Sequence, residues 1–216
     1  MEELVSCILS QHTSDINSFP AFTRLVEKYP DWDDLAATPV NEVAQVIQNA
    51  GLANQKAKGI KACLEEIKKK NGSYDLSFLR SLPMPEARKW LESLPWVGPK
   101  TASIVLAFSF GMPAIPVDTH IFRVSKRLGL LTEAATEAKA HDELLIVVPE
   151  KCAFRFHCLL IEHGRKTCRA RSPQCEMCVL KNDCPSAQLN STKPNSAGEI
   201  AVRQKSAKKR QNTRII

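Results

Sequence analysis

No run of apolar residues in this chain approaches the roughly 18 needed to cross a bilayer as a helix. The longest candidate, residues 104–117, is broken by Gly111, Pro113 and Pro116. No secretory signal is expected in the opening MEELVSC, which has acids where a signal carries lysine or arginine. Apolar and polar residues nowhere alternate at the period of a strand, which argues against a sandwich or barrel, and no repeat points to a solenoid. A disulfide framework is also unexpected. Eight cysteines are present, but Cys7, Cys63, Cys152 and Cys158 fall in apolar helical patterns and read as buried thiols. A reducing, intracellular setting follows, cytoplasm or nucleoid if the source is bacterial.

What remains is an ordinary globular composition, 44% hydrophobic and 25% charged, in 216 residues. That length suits one large domain or two small ones sharing a cleft. The net charge of +7 is uneven: residues 186–216 hold seven Lys/Arg against the single acid Glu199, a net +6. Residues 1–185 are therefore nearly neutral, and their basic groups matter only where they cluster. The basic stretch is rich in Ser, Asn and Lys without an aromatic residue, so it is expected to be disordered. Its contribution would be non-specific, salt-sensitive affinity for a polyanion.

The pattern is helical almost throughout. Leu4, Val5, Ile8 and Leu9 begin an apolar stripe. Thr38-Pro39 reads as an N-cap followed by proline at the first helical position, with Val40, Val43, Val46 and Ile47 on one face until Gly51. Asn54 opens a further helix that closes near Asn71-Gly72, and Pro85 to Glu92 forms a short amphipathic one. Residues 101–110 are apolar on every side, which predicts a helix buried all round. The two prolines of GMPAIPVD, residues 111–118, forbid a helix, so this segment reads as an extended crossing between two helical lobes.

Chemistry concentrates at three places. Cys168, Cys175, Cys178 and Cys184 stand in the spacing C-x6-C-x2-C-x5-C, enough thiolates to enclose a tetrahedral zinc or a [4Fe–4S] cube. Arg165, Lys166, Arg169 and Arg171 crowd around the first of them, a phosphate-binding finger or a solvated basic surface. Residues 94–102, LPWVGPKTA, form a turn between helices in which Gly98 supplies a permissive backbone. Amide groups freed at the next helix start can hold a phosphate without reading a base. Lys100 then lies in a first helical turn, facing the positive end of the macrodipole, where stability alone would not place it. That field and partial burial favour the neutral amine that Schiff-base chemistry requires. Asp118 reads as the N-cap of helix 119–128, and as a carboxylate able to steady developing positive charge or assist a proton transfer.

The string from Leu94 to Val124, LPWVGPKTASIVLAFSFGMPAIPVDTHIFRV, resembles the helix-hairpin-helix, Gly/Pro-rich loop and catalytic aspartate of the endonuclease III family of DNA glycosylases. The cysteine spacing is similar to that family's [4Fe–4S] loop, and ILSQHTSD to its LSxQxxD segment, so the likeness runs in order over residues 3–185. The resemblance implies an all-α fold: a six-helix barrel over residues 1–112 and an iron–sulfur domain over 113–185, flanking a DNA-binding cleft. It implies a monomer acting on duplex DNA with the damaged nucleotide flipped out, and no membrane partner. Lys100 matches the amine that attacks C1′, forms a Schiff base and cuts by β-elimination, and Asp118 the assisting carboxylate. Relatives that only hydrolyse the base lack that lysine, so the implied activity is bifunctional: DNA glycosylase and AP lyase, in base-excision repair of oxidised pyrimidines.

DNA contacts are expected at Gln11, His12, Trp96, Val97, Gly98, Thr101, Arg165, Lys166, Arg169 and Arg171, and the cluster on the four cysteines. Three departures stand out. Trp96 occupies the place of the hairpin's first glycine; Gln11-His12 covers the glutamine that plugs the gap left by the flipped base; and the family's additional N-terminal helix has no counterpart ahead of residue 1. Alternatives within the fold are a mismatched thymine or uracil, or a methylated cytosine, since plant demethylating glycosylases carry a GSYDLSFLR-like stretch. Outside it stand a non-catalytic DNA-binding module and a zinc-ribbon binder.

Overall fold

A computed structural model describes residues 1–191, and all regular structure among them is helical. Eleven α-helices follow in order: α1 Glu2–Ser10, α2 Asp15–Lys28, α3 Trp32–Ala37, α4 Val40–Val46, α5 Ala53–Asn71, α6 Met84–Glu92, α7 Pro99–Ile104, α8 Thr119–Arg127, α9 Glu137–Val147, α10 Ala153–Lys166 and α11 Pro185–Ser191. Among the described residues no helix is long and apolar enough to cross a membrane.

Two apolar cores organise these helices. The first gathers buried side chains from Leu4 to Ala114 around α5, whose Ala57, Ile60, Cys63, Leu64 and Ile67 recur at helical spacing and are fully buried or nearly so. Gly72, at φ 72°, ends α5 in the left-handed conformation that glycine adopts freely, beside Lys68, Lys69 and Lys70 at the negative end of the helix. The second core runs from Ile115 to Leu160 and joins α8, α9 and α10. Between the cores lies the crossing 111–118, buried from Ala114 to Val117.

Several local expectations change. Helix α4 starts at Val40 with Pro39 as its cap, while the Thr38 hydroxyl bonds back to the Asp34 carbonyl at 2.8 Å. The helix carrying Lys100 is not buried all round: Phe108 is 46% exposed, Ile104 half-buried and Ser109 exposed. It also widens to a π-helical segment over Val105–Ser109, a feature often found beside functional sites. Of the four thiols expected to be buried, Cys7 and Cys63 are, but Cys152 is half-buried and Cys158 exposed. Order continues past Ser186 into α11, where Ala187 is 3% exposed. The expectation of a disordered tail otherwise falls on residues 192–216, outside the described ones.

Candidate active site and nucleic-acid interface

Helices α6 and α7 are joined by a tight turn whose apolar residues point inward: Leu94 is 3% and Val97 6% exposed. The Val97 amide closes the turn on the Leu94 carbonyl at 3.3 Å. Gly98 caps α7 in an extended conformation, φ −98° and ψ −179°, which any residue adopts. The permissive position expected at Gly98 is therefore not there. It lies two residues earlier, at Trp96, whose φ is +66°.

Gly98 contributes space instead, since a Cβ on it would meet nothing within 4 Å. The backbone N–H groups of Gly98, Lys100 and Thr101 have no acceptor among the described residues, whereas Ala102 N–H bonds to Gly98 O at 2.9 Å. Open space over three unpaired donors at a helix start suits an anion. The Lys100 side chain is exposed beside them, so the partial burial expected of it is not found. Thr101 and Val97 have buried side chains, so any contact they make with DNA runs through their backbone.

Asp118 is half-buried at the start of α8, and its Oδ1 accepts the Ile121 N–H at 2.7 Å, the expected cap. Two histidines that composition gave no reason to single out hold the segment in front of it. His141 Nδ1 lies 3.0 Å from Ile115 O and His157 Nδ1 2.9 Å from Pro116 O, so in each ring this nitrogen carries the proton. His141 also lies 3.3 Å from the Ser103 hydroxyl of α7. Burial pushes the His141 imidazole down to about 4, with the cations of Arg88 and Lys100 adding to it. Burial likewise lowers His157, opposed by the Pro116 bond and the Asp118 charge and assisted by the Lys100 charge. Both rings are thus neutral props, and Lys100 and Asp118 are near enough to His157 for each to act on it.

The four cysteines of the C-terminal motif are free thiols that line one cavity with Val124, Leu128 and Pro173. Four thiols around one cavity are the donor set that a [4Fe–4S] cube takes, so the residues present fit that group. Polar neighbours reach the sulfurs: Arg127 Nη1 donates to Cys168 Sγ at 3.3 Å, His163 Nε2 lies 3.7 Å from Cys178 Sγ, and Cys184 Sγ donates to Arg127 O at 3.3 Å.

The basic loop around Cys168 is braced from below by α8. Arg123 donates to the carbonyls of Gly164 and Cys168, and Arg127 to those of Arg169 and Ala170. Sequence gave no hint of these two arginines, because their acceptors lie about forty residues away. Arg165, Lys166, Arg169 and Arg171 are all exposed, and Lys166 is paired with Glu162 at 2.6 Å. Gln11 is half-buried and donates to Trp96 O at 3.1 Å, while the next residue, His12, is exposed at φ 54°. The structure thus brings Gln11 and His12 to the hairpin, and Asp118 and the cysteine loop to opposite ends of α8.

The HhH-GPD superfamily of base excision DNA repair proteins matches residues 5–150, and the iron–sulfur binding domain of endonuclease III matches residues 168–184, from the first cysteine to the last. The endonuclease III of Rickettsia prowazekii is 39% identical over 84% of this chain and 81% of the relative. A candidate DNA glycosylase of Arabidopsis thaliana is 34% identical over 86% of this chain, which spans 64% of that longer protein. Among solved structures, a non-covalent endonuclease III–DNA complex superposes with a TM-score of 0.74 at 34% identity, covering 88% of this chain and 85% of that one. A thermostable thymine-DNA glycosylase superposes with a TM-score of 0.73 at 25% identity, over 87% and 84% of the two chains. The free N–H groups beside Lys100, the capped Asp118, the [4Fe–4S]-type cysteine loop and these likenesses agree: the chain belongs to the HhH-GPD superfamily of base-excision DNA repair proteins, in its endonuclease III branch of DNA glycosylases with AP lyase activity.

Proposed function

We propose that Lys100 and Asp118 carry this activity, with Lys100 the nucleophile. Duplex DNA lies across the hairpin, a phosphate oxygen accepting from the N–H groups of Gly98, Lys100 and Thr101. The target nucleotide leaves the stack, which exposes its C1′. Lys100 Nζ attacks C1′ through its lone pair, the N-glycosidic bond breaks and the base departs. Nζ then gives up a proton and the C1′–O4′ bond breaks, O4′ taking up a proton as the sugar ring opens; the imine left between Nζ and C1′ makes the C2′ proton acidic. Its removal expels the 3′ phosphate, and hydrolysis of the imine returns the amine. Asp118 is the one carboxylate whose backbone is fixed at the same crossing. It steadies positive charge on the sugar and takes part in the proton transfers.

Cys168, Cys175, Cys178 and Cys184 would hold the [4Fe–4S] cluster, which, when bound, cross-links the loop bearing Arg169 and Arg171 just beyond the end of α10, where Arg165 stands. Lys166, already paired with Glu162, contributes less to the phosphate backbone. Of the pair in the α1–α2 loop, Gln11 is engaged with Trp96, so His12, exposed beside it, is the side chain free to fill the space vacated by the flipped nucleotide. The protein acts as a monomer in this reading, and its free thiols suit a reducing compartment.

The observation that carries the reading is the position of Lys100, an exposed amine in the first turn of α7 next to three unpaired backbone donors. The preferred lesion is an oxidised pyrimidine. A mismatched thymine is the second reading, favoured by the likeness to a thymine-DNA glycosylase. The test is a cleavage screen on duplexes with oxidised pyrimidines, uracil, mismatched thymine or an abasic site, with borohydride trapping of the covalent intermediate. Strand cleavage without a trapped adduct would exclude the lysine mechanism.

A further inference from the structure

Helix α5 presents two unusual residues one turn apart toward the DNA-facing loops. Lys56 is fully buried, and its Nζ donates to the carbonyls of Leu9 and Ala50, each at 2.7 Å. Leu9 lies in the last turn of α1, two residues before Gln11, so this ammonium fixes the point from which the 10–14 loop departs. Its charge meets the negative end of a helix, where a buried cation is best tolerated. Gly59, in the interior of α5, is covered by the indole of Trp96: a Cβ added there would lie 2.5–2.8 Å from three of its ring atoms. Such distances leave no room for alanine. The Trp96 carbonyl in turn accepts from Gln11 at 3.1 Å.

Trp96 adopts φ +66°, a conformation that bulky residues avoid and that glycine accepts freely. It is kept there from outside, by the helix face under its ring and by the amide on its carbonyl. We infer that Lys56, Gly59 and Trp96 are positioning residues that lock the 10–14 loop to the hairpin before DNA arrives. A duplex whose phosphate sits on the hairpin then meets Gln11 and His12 already in place, without the entropic cost of ordering them. This rests on the reading of the hairpin as a phosphate site. It goes beyond that reading in making the indole–Gly59 contact, rather than a hairpin glycine, the source of its conformation.

The experiment is a double-mutant cycle between Gly59→Ala and Trp96→Gly, each in the full cluster-loaded chain. Binding is measured to a duplex containing a tetrahydrofuran abasic analogue and to the undamaged duplex. Gly59→Ala is expected to raise Kd for the analogue about tenfold while the trapping rate at saturating protein changes less than about twofold. In the Trp96→Gly background the same Gly59→Ala change should alter Kd less than about twofold. Equal losses in both backgrounds would overturn the inference. Hydrogen exchange of the free protein decides independently of DNA and of whether Gly59→Ala folds. Trp96→Gly should speed exchange in residues 10–14 as well as in 94–99, with the rest of the chain unchanged, and a 10–14 loop left as slow as in the parent would sink the coupling. Wild-type protein that fails to prefer the analogue over undamaged DNA would instead refute the proposed function and leave the exchange result standing.

Discussion

Lys100 and Asp118 differ in what else they do for the protein, and their substitutions should differ accordingly. Lys100 is exposed and makes no hydrogen bond or ion pair among the described residues. Lys100→Gln should therefore leave stability within about 0.5 kcal/mol and DNA affinity within a few-fold, since phosphate contacts supply most of the binding, yet abolish borohydride trapping on abasic DNA. Trapping at the parent rate would move the Schiff base to another amine. Asp118 caps α8, and asparagine caps about as well. Asp118→Asn should keep the melting temperature and slow base removal because only the charge is lost. Unchanged single-turnover kinetics would leave Asp118 a cap and nothing more. Trp96 sets packing against strain. Glycine there would relieve about 1–2 kcal/mol of left-handed strain, but it would release the buried part of an indole that is 39% exposed, on the order of 4 kcal/mol of burial. Trp96→Gly should thus destabilise by about 2 kcal/mol in chemical denaturation, packing winning over backbone freedom.

At the level of elements, the crossing 111–118 has no helix or sheet ladder of its own, and its shape depends on what is bonded to its carbonyls. His141 from α9 and His157 from α10 supply two of those bonds. Because His141 is held down at about 4 in the folded protein, from 6.5 in an unfolded chain, the unfolded state takes up a proton first as pH falls. The contribution of the neutral ring is complete above pH 6.5, declines as the pH drops towards 4 and is lost below it, a total on the order of 3 kcal/mol. Urea denaturation between pH 7 and 4 should show this decline, and His141→Gln should flatten the curve over that window. An equally steep curve in the variant would assign the slope to other groups. Much of this was legible in the sequence: the prolines excluded a helix, and Asp118 read as a cap. The histidines were not, because a buried neutral ring has no sequence signature and its carbonyl partners lie 26 and 41 residues away.

Across the whole molecule, the cysteine loop is the C-terminal clamp. It encloses little apolar core of its own, and its carbonyls are held by Arg123 and Arg127 of α8. Cluster binding should therefore contribute folding energy directly. Purified protein should be brown with about four irons per chain, and Cys175→Ser should lose the visible absorption and loosen residues 153–187 in hydrogen exchange. Stoichiometric zinc in a colourless protein would contradict the cluster. The basic stretch is separable if the cut follows α11: residues 192–216 hold all seven of the lysines and arginines that follow Ser186, whereas a cut at 186 would also remove the buried Ala187. Removing 192–216 should weaken non-specific DNA binding and make its salt dependence shallower, because fewer counterions are released. Single-turnover cleavage at saturating protein should hardly change.

The sequence by itself determined whatever depends on neighbours along the chain. Helix periods, the cap at Asp118, the turn before Lys100 and the spacing of four cysteines are local, and each residue type there has few physical uses. The match to known relatives followed from the same local strings. Tertiary structure decided the conformations that neighbours along the chain would not choose. Trp96 holds φ +66° because α5 puts a bare backbone at Gly59 under its ring. Lys56 is buried at the heart of the first core because two helix ends present carbonyls to it at 2.7 Å. Gln11 is engaged because its amide reaches across 85 residues to the hairpin carbonyl of Trp96. Such contacts form only between surfaces that folding brings together, and the composition of either surface alone does not reveal the other.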